Sequence, residues 1–384
     1  MGLNFNFATA AKIIFGSESL AQVPDLISKM GDSIFLVTGS GNERALILAT
    51  QLLTGTKYSI FNVHSEPTID IINNGVQLAR KAGCNVVVGI GGGSAIDCAK
   101  AIAALIPNDG ELLDYLEVIG GGKPLLKTPL PCIAIPTTSG TGAEVTKNSV
   151  IKSPVHNVKV SLRSELMYPD VAVVDPSLTL SMPPEITAST GVDALTHLLE
   201  TFVSNQSNPF IDMYCREGMK KISDSIINAY NNGDDLKARE DMSMASMLGG
   251  IALANVKLGA VHGFAGPMGG MFPMPHGAIC ACLLPAVMEI NIKVLGEQNL
   301  QHFLKKYDDV GKILTGNPDA DATDGIKWVK NLVTDLAIRS LSDYGLKRES
   351  FPELVVKSKK ASSMKGNPVV LDDKILTTIL EKSI

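Results

Sequence analysis

Asp193 and His197 stand four residues apart in the segment Gly191-Val192-Asp193-Ala194-Leu195-Thr196-His197-Leu198-Leu199-Glu200. On a helix that spacing puts both side chains on one face, about 6 Å apart along the axis. A carboxylate and an imidazole so placed are a start for a divalent-metal site, although such pairs are also common on exposed helix faces. Two more of the six histidines have unusual surroundings: His262 in Gly259-Ala260-Val261-His262-Gly263-Phe264, and His276 in Pro273-Met274-Pro275-His276-Gly277. A histidine among small and apolar residues is usually a core histidine bonded to a carbonyl. Four potential ligands in otherwise apolar helical segments favour one shared metal over four separate core roles. His64, His156 and His302 lie in polar contexts and read as surface.

Three glycine-rich turns carry a second kind of chemistry. Val86-Val87-Val88-Gly89-Ile90 runs into Gly91-Gly92-Gly93-Ser94 and then a helical pattern. Glycines let the backbone approach a ligand closely, and the free N–H groups and dipole of a helix start favour a pyrophosphate. Glycines at a strand-to-helix turn also serve packing alone. A second strand, Ile133-Ala134-Ile135, leads into Pro136-Thr137-Thr138-Ser139-Gly140-Thr141-Gly142-Ala143-Glu144, which offers hydroxyl donors to phosphate or ribose. Two such loops at strand ends of one sheet are where α/β proteins bind ligands. The third turn, Thr38-Gly39-Ser40-Gly41-Asn42, has Gly39 where an acidic residue often grips the ribose 2′-hydroxyl. Without that carboxylate a 2′-phosphate is not repelled, and Ser40, Gly41 and Asn42 can donate to it, with Arg44 nearby.

These segments need a scaffold, and the first half of the chain supplies one. Buried-strand runs recur at Ile34–Thr38, Ser59–Val63, Val86–Ile90, Cys132–Ile135 and Val171–Asp175, separated by helical patterns at Ile69–Ala82 and Ser94–Ile106. Strands buried on both faces and alternating with helices predict a mostly parallel sheet. Lys12–Phe15 reads as an edge strand, and Ser149–Lys152 with Asn157–Ser161 as a small hairpin. Beyond Val171–Asp175 long helical patterns dominate: Pro184–Ser204, Pro209–Asn231, Ala238–Val256, Ile279–Gly296, Gly325–Asp335 and Val370–Glu381. The reading is a dinucleotide-binding α/β domain over residues 1–180 and an all-helical metal-binding domain over residues 181–384.

Whole-chain properties set the class. The 384 residues fit two domains, and 45% apolar content supports a sizeable core. A net charge of −5 with scattered basic residues argues against a nucleic-acid partner. Six cysteines in no CxxC pair read as reduced thiols of a cytoplasmic protein, and Cys280-x-Cys282 reads as packing. No signal peptide is expected at the N-terminus, and no apolar stretch of 18 or more residues is expected to span a membrane.

Together the segment from Val173-Val174-Asp175 through Thr190-Gly191-Val192-Asp193 to Glu200, the run Gly91–Asp97, and the run Pro136–Glu144 resemble the iron-containing, or group III, alcohol dehydrogenase family. The resemblance implies a dehydroquinate-synthase-like fold: an α/β N-terminal Rossmann-like domain followed by an all-helical C-terminal domain, with the active site in the cleft between them. It implies that Asp193, His197, His262 and His276 bind one divalent metal, Fe(II) before Zn(II), through which they act in catalysis. It implies that Gly92, Gly93 and Ser94 contact the pyrophosphate and that Thr137 and Thr138 hold the dinucleotide. Asp97 belongs to the same cofactor-binding run, and Val150 and Lys159 line the nicotinamide side. The expected reaction is hydride transfer between a nicotinamide cofactor and a small alcohol, aldehyde or ketone, in a homodimer or larger assembly.

Two departures from the family pattern are informative. Gly266 stands where many relatives carry a second histidine, so a histidine proton relay is absent there. Gly39 and Ser40, without an Asp, favour NADP(H) over NAD(H). Two rival readings remain on the same fold. A dehydroquinate-synthase-like lyase needs basic residues for a phosphorylated substrate, and His262–Cys280 contains no Lys or Arg. A non-catalytic metal- and dinucleotide-binding or scaffold protein that kept the fold is the second, and the intact Asp193, His197, His262 and His276 argue against such decay.

Overall fold

The computed structural model describes residues 4–39, 46–47, 50–51, 53–156 and 158–384. Ser40, Gly41, Asn42 and Arg44 lie outside the described residues. Two compact units result: Ala8–Met182, and Pro183–Ile384 together with the N-terminal residues up to Phe7. Phe5 and Phe7 join the second unit by ring contacts to Phe210, at centroid distances of 5.7 and 4.8 Å.

The first unit is built on a six-stranded sheet. Its strands are β1 (Lys12–Phe15), β2 (Ser33–Gly39), β3 (Lys57–Val63), β4 (Val86–Gly91), β5 (Cys132–Pro136) and β8 (Val171–Val174), in the order β1-β8-β5-β4-β2-β3. Every pairing is parallel. Strand periodicity explains the two-sided burial. Phe35, Val37 and Val87 point to one face, against Ile72, Val76 and Ala79 of α2 (Ile69–Ala82) and Cys98 and Ile102 of α3 (Gly93–Leu105). Ile34, Leu36, Val86 and Val88 point to the other, against Val23, Leu26 and Ile27 of α1 (Val23–Ile27). Helix α2 starts at an N-cap, Thr68, whose side chain accepts from the Ile71 amide, and stops at Gly83.

Chain order places β3 on one side of β2 and β4 on the other. The ends of β2 and β4 therefore flank a topological switch point, the crevice where open α/β sheets bind ligands. Strand β1 forms a sheet edge, and β6 (Asn148–Ser153) with β7 (Val158–Arg163) forms an antiparallel hairpin, both as the sequence indicates.

The second unit is helical. It contains α5 (Pro184–Val203), α6 (Pro209–Asn231), α7 (Leu236–Asn255), α8 (Ala260–Met271), α9 (His276–Glu297), α10 (Gln301–Thr315), α11 (Ala322–Asp335), α12 (Phe351–Lys360) and α13 (Asp373–Lys382), after the short α4 (Leu112–Tyr115) of the first unit. The sequence patterns anticipate α5, α6, α7 and α9 within a few residues but not α8, α10 or α12. Helix α8 holds Pro267 and several glycines, a poor helix composition. Complete burial of Val261, Phe264, Ala265 and Met268 overrides that propensity.

Helix α9 corrects one expectation. By length and composition it is apolar enough to cross a membrane, but most of it is buried inside the protein, as a core helix is. Phe264, Met268 and Met274 are buried core residues too.

Candidate functional site

Three helices of the second unit bring the sequence's four metal candidates together. Asp193 and His197 lie one turn apart on α5, His262 in the first turn of α8, and His276 at the start of α9. Gly277 permits the last placement: a Cβ there would stand 2.0 Å from the carbonyl oxygen of Ser189 on α5. Asp193, His197 and His262 are buried, and the His276 side chain is 35% exposed, which gives the set one open side.

The Asp193 carboxylate is the hub. Its Oδ1 is buried and accepts no hydrogen bond among the described residues. Yet Nε2 of His262, His276 and His197 face it at 3.5, 3.7 and 3.9 Å. These separations are too long for hydrogen bonds. They suit donors sharing one ion, because ligand atoms about 2.1 Å from a tetrahedral metal lie about 3.4 Å apart. Burial would raise the Asp193 carboxyl, but His197, His276 and His262 hold it well below the usual carboxylate range. Residues of this type at this spacing fit a divalent metal.

Glu200 belongs to the site through another residue, and spacing alone gave no sign of it. It lies two turns beyond Asp193 on α5 and is buried. Helix α8 has Gly259 at its N-cap and no side-chain cap of its own. Glu200 Oε1 accepts from the Val261 amide at 2.7 Å, and Oε2 from the His262 amide at 3.3 Å. An acidic group there suits the positive end of the helix. Oε2 also lies 2.7 Å from His262 Nδ1. A carboxylate only accepts, so Nδ1 carries a proton, and in the neutral imidazole the Nε2 lone pair faces Asp193. This is the carboxylate–histidine arrangement that orients metal ligands.

Cys280, read from the sequence as packing, stands one turn after His276 on α9 and faces the same space. Its Sγ is 3.8 Å from His262 Nε2. The ligand atoms of Asp193, His262, His276 and Cys280 all lie within 4.8 Å of one another. Burial pushes the Cys280 thiol up to about 12. The signal was available as a His–Cys pair at i, i+4. His64, His156 and His302 are exposed, as their contexts indicate.

The glycine-rich turns of the first unit converge at the ends of β2, β4 and β5. Gly91 has φ +152°, and a Cβ on it would lie 2.8 Å from the Ala95 Cβ and 3.0 Å from the Gly39 amide nitrogen, so only glycine fits. Gly92 is the N-cap of α3 and supplies no side-chain cap, which leaves the first-turn amides of Gly93 and Ser94 without a side-chain acceptor. The Thr138 side chain lies 3.4 Å from the space a Gly92 Cβ would occupy, and the Thr141 side chain 2.8 Å from the same position on Gly93. Gly92, Gly93, Ser94 and Thr138 are partly exposed, whereas Thr137 is buried and its amide donates to the Gly91 carbonyl at 2.9 Å.

Asp97, Val150 and Lys159 sit further back. Asp97 is buried, pairs with Lys100 Nζ at 3.0 Å, and accepts from the Val150 amide at 2.9 Å. Its carboxylate thereby ties the β6–β7 hairpin to α3. Burial raises the Asp97 carboxyl despite the facing Lys100. Lys159 is paired with Glu66, and the Val150 side chain is exposed. Lys100, 1% exposed, also donates to the Ala143 carbonyl at 2.8 Å, to Thr146 Oγ1 at 3.0 Å and to the Asn148 carbonyl. It anchors the loop that follows Thr137 and Thr138.

Glu144 lies in that loop, 2% exposed. Burial pushes its carboxyl up to about 7, against the smaller opposing pull of its own amide and Lys100. A folded value above the unfolded 4.5 means that stability is fullest below 4.5 and declines as pH rises through 7. The span corresponds to about 3 kcal/mol. Glu144→Gln should therefore raise the melting temperature little at pH 5 and clearly at pH 8. Parallel melting curves of the two proteins at both pH values would contradict this.

A parallel sheet with glycine-lined strand ends and a helical unit with a buried carboxylate–imidazole set define a metal- and dinucleotide-dependent oxidoreductase. Comparison with known proteins agrees. Residues 10–176 match the family described as iron-containing alcohol dehydrogenase, and residues 187–384 its C-terminal counterpart. "Alcohol dehydrogenase 4" of Saccharomyces cerevisiae (strain YJM789) is 35% identical over 382 residues, 96% of each chain. "1,3-propanediol dehydrogenase" of Citrobacter freundii is 34% identical over 84% of this chain and 81% of its own. A crystal structure of 1,3-propanediol oxidoreductase superposes with a TM-score of 0.92 at 29% identity, covering both chains fully. The chain belongs to the iron-containing alcohol dehydrogenase family. It is a metal-dependent oxidoreductase of alcohols and carbonyl compounds that uses a nicotinamide cofactor, and the lyase reading is not favoured.

Proposed function

We propose that the protein is a cytoplasmic, NADP(H)-preferring alcohol dehydrogenase, run in reverse as an aldehyde or ketone reductase, with Asp193, His197, His262 and His276 as its metal-binding residues. The observation that carries the metal assignment is the buried Asp193 Oδ1, which accepts no hydrogen bond and is ringed by three imidazole nitrogens. When bound, the metal supplies Lewis-acid polarisation of the substrate oxygen, and the nicotinamide supplies the hydride acceptor or donor. The chain's own residues do the positioning. Asp193 balances charge, and Glu200 fixes the tautomer and tilt of His262. The amides of Gly93 and Ser94 hold the pyrophosphate at the start of α3, with Thr138 beside it. Asp97 acts through the Val150 amide by holding the β6–β7 hairpin in place.

The open side of the metal set at His276 and the apolar surroundings of His262 suit a small alcohol or carbonyl compound. Fe(II) is favoured by the family, while three imidazoles and one carboxylate also suit Zn(II). Gly266 has no side chain, so no histidine relays protons from that position, and water or the cofactor ribose carries the proton, or the substrate differs. A homodimer through an edge strand of the α/β unit is consistent with Tyr58 and Ile60, which are exposed on edge strand β3. Six free thiols support a reducing compartment.

The test is NADPH and NADH oxidation with a panel of short aldehydes and ketones, using protein stripped by chelator and reconstituted anaerobically with Fe(II) or Zn(II). Metal-dependent turnover is expected, faster with NADPH. Bound metal without turnover on any pair would reject the reaction.

Cofactor preference has its own test. Among the described residues a Cβ on Gly39 would meet ordinary contacts, 3.7 Å to the Ala95 Cβ and 3.8 Å to the Gly91 Cα, which leave room for a side chain there. Gly39→Asp should weaken NADPH binding about tenfold or more, by about 1.4 kcal/mol, and strengthen NADH binding by offering a carboxylate to the ribose hydroxyls. Equal effects on the two dinucleotides would show that Gly39 does not set the preference.

A further inference from the structure

The thiol of Cys280 stands among the metal candidates, one turn after His276 on α9. Its side chain is fully buried, forms no disulfide, and points at His262 Nε2 from 3.8 Å. One turn earlier on the same face of α9, His276 Nε2 faces Asp193 Oδ1 at 3.7 Å. The i, i+4 spacing delivers two donors from one helix to one point. Four donor atoms, from Asp193, His262, His276 and Cys280, lie within 4.8 Å of one another, a tighter set than any the described residues form elsewhere.

Two roles compete for the sulfur. In the first, the thiol donates weakly to the His262 Nε2 lone pair, a packing contact. In the second, both atoms are ligands of one ion. Glu200 decides between them. By accepting from Nδ1 it leaves the Nε2 lone pair as the only donor His262 has for a metal. Once that lone pair is committed to an ion, the thiol loses its acceptor and stands beside a divalent cation in a buried site. A thiol in coordinating position there gives its proton to solvent and binds as the thiolate. The distance agrees: with metal–sulfur near 2.3 Å and metal–nitrogen near 2.1 Å, neighbouring S and N donors of a five-coordinate ion, at angles of about 90–120°, are about 3.1–3.8 Å apart.

We propose that Cys280 is a direct metal ligand, adding a sulfur donor to the oxygen and nitrogen set of Asp193, His197, His262 and His276. The proposal rests on the metal reading above. A soft thiolate favours Zn(II) and Co(II) over harder ions, so Cys280 also biases the choice of metal in this chain.

The experiment is substitution of the full-length protein with Co(II) under anaerobic conditions, read by absorption and by metal content. One Co(II) per chain with visible d–d bands reports the site itself. A near-ultraviolet thiolate-to-cobalt charge-transfer band reports the sulfur. The wild type should show both, and Cys280→Ala and Cys280→Ser should lose the charge-transfer band while keeping the d–d bands. Cys282→Ser, whose sulfur contacts the Arg339 carbonyl, should keep both. X-ray absorption of the Zn(II) wild type should require one sulfur scatterer near 2.3 Å, a reading that needs no variant to fold. One bound Co(II) with no charge-transfer band, or a band that survives in Cys280→Ala, overturns the sulfur ligand and leaves the metal site standing. Failure of the wild type to bind any metal overturns both.

Discussion

His262→Ala should lower kcat/KM by about a thousandfold or more while leaving the dissociation constants for NADPH and NADH within about twofold of wild type. The asymmetry follows from where His262 sits. It is the only residue of the set that combines a ligand position toward Asp193 with an orienting hydrogen bond to Glu200. Removing it opens a buried space beside Asp193 and leaves Glu200 with only the α8 amides to hold. Lewis-acid assistance amounts to several kcal/mol, and about 4 kcal/mol is a factor of a thousand. The loops proposed to hold the dinucleotide, Gly91–Ser94 and Thr137–Thr141, belong to the other compact unit. Titration of the variant by nicotinamide fluorescence, alongside metal analysis and steady-state rates, separates the two effects. Wild-type turnover in the variant would remove His262 from the reaction, and a parallel loss of dinucleotide binding would show that the variant is damaged beyond the metal site.

Lys100→Met should destabilise the protein by about 3–5 kcal/mol, the usual cost of removing one partner of a buried ion pair. Methionine keeps most of the volume, so the loss reports electrostatics and hydrogen bonds rather than a cavity. Five acceptors lose their donor: Asp97 Oδ1, the carbonyls of Ala143, Thr146 and Asn148, and Thr146 Oγ1. Pairing the change with Asp97→Asn should recover part of the loss, because the uncompensated carboxylate goes with it, and the recovery is the coupling energy of a double-mutant cycle. Denaturant midpoints of the four proteins measure it. A Lys100→Met protein within about 1 kcal/mol of wild type would show that the pair adds little, as exposed pairs do.

The helix carrying Asp193 and His197 was legible because its signal is local. A carboxylate and an imidazole four apart in an apolar amphipathic run occupy one face whatever surrounds them. The same holds for β2, β4, β5 and β8, whose β-branched runs have the length of strands and the burial of a parallel sheet. Their glycine turns were legible because strand-end geometry demands glycine, as at Gly91 with its positive φ. Helix α8 was not legible. Its glycines and Pro267 oppose a helix locally, and only burial between neighbouring helices pays for it.

Strand order, too, lay beyond the pattern of runs. Periodicity says that strands alternate with helices but not that β4 returns to the far side of β2, the step that creates the switch point beside Gly39 and Gly91. Asp97 shows the same limit at one residue. It stands within a glycine-rich cofactor run, and the structure engages its carboxylate with Lys100 and the Val150 amide.

By itself, then, the sequence determined most of the elements, the two kinds of chemistry and the Asp193–His197 pair, because each is written in spacing within a single helix or turn, while His262 and His276 stood out by their small and apolar surroundings. The tertiary structure alone decided that three imidazoles from three helices converge on one oxygen of Asp193, that Glu200 both caps α8 and orients His262, and that Cys280 faces them. Two of those relations join residues 61 and 83 positions apart, through helix packing that no local pattern records: Glu200 with Val261, and Asp193 with His276.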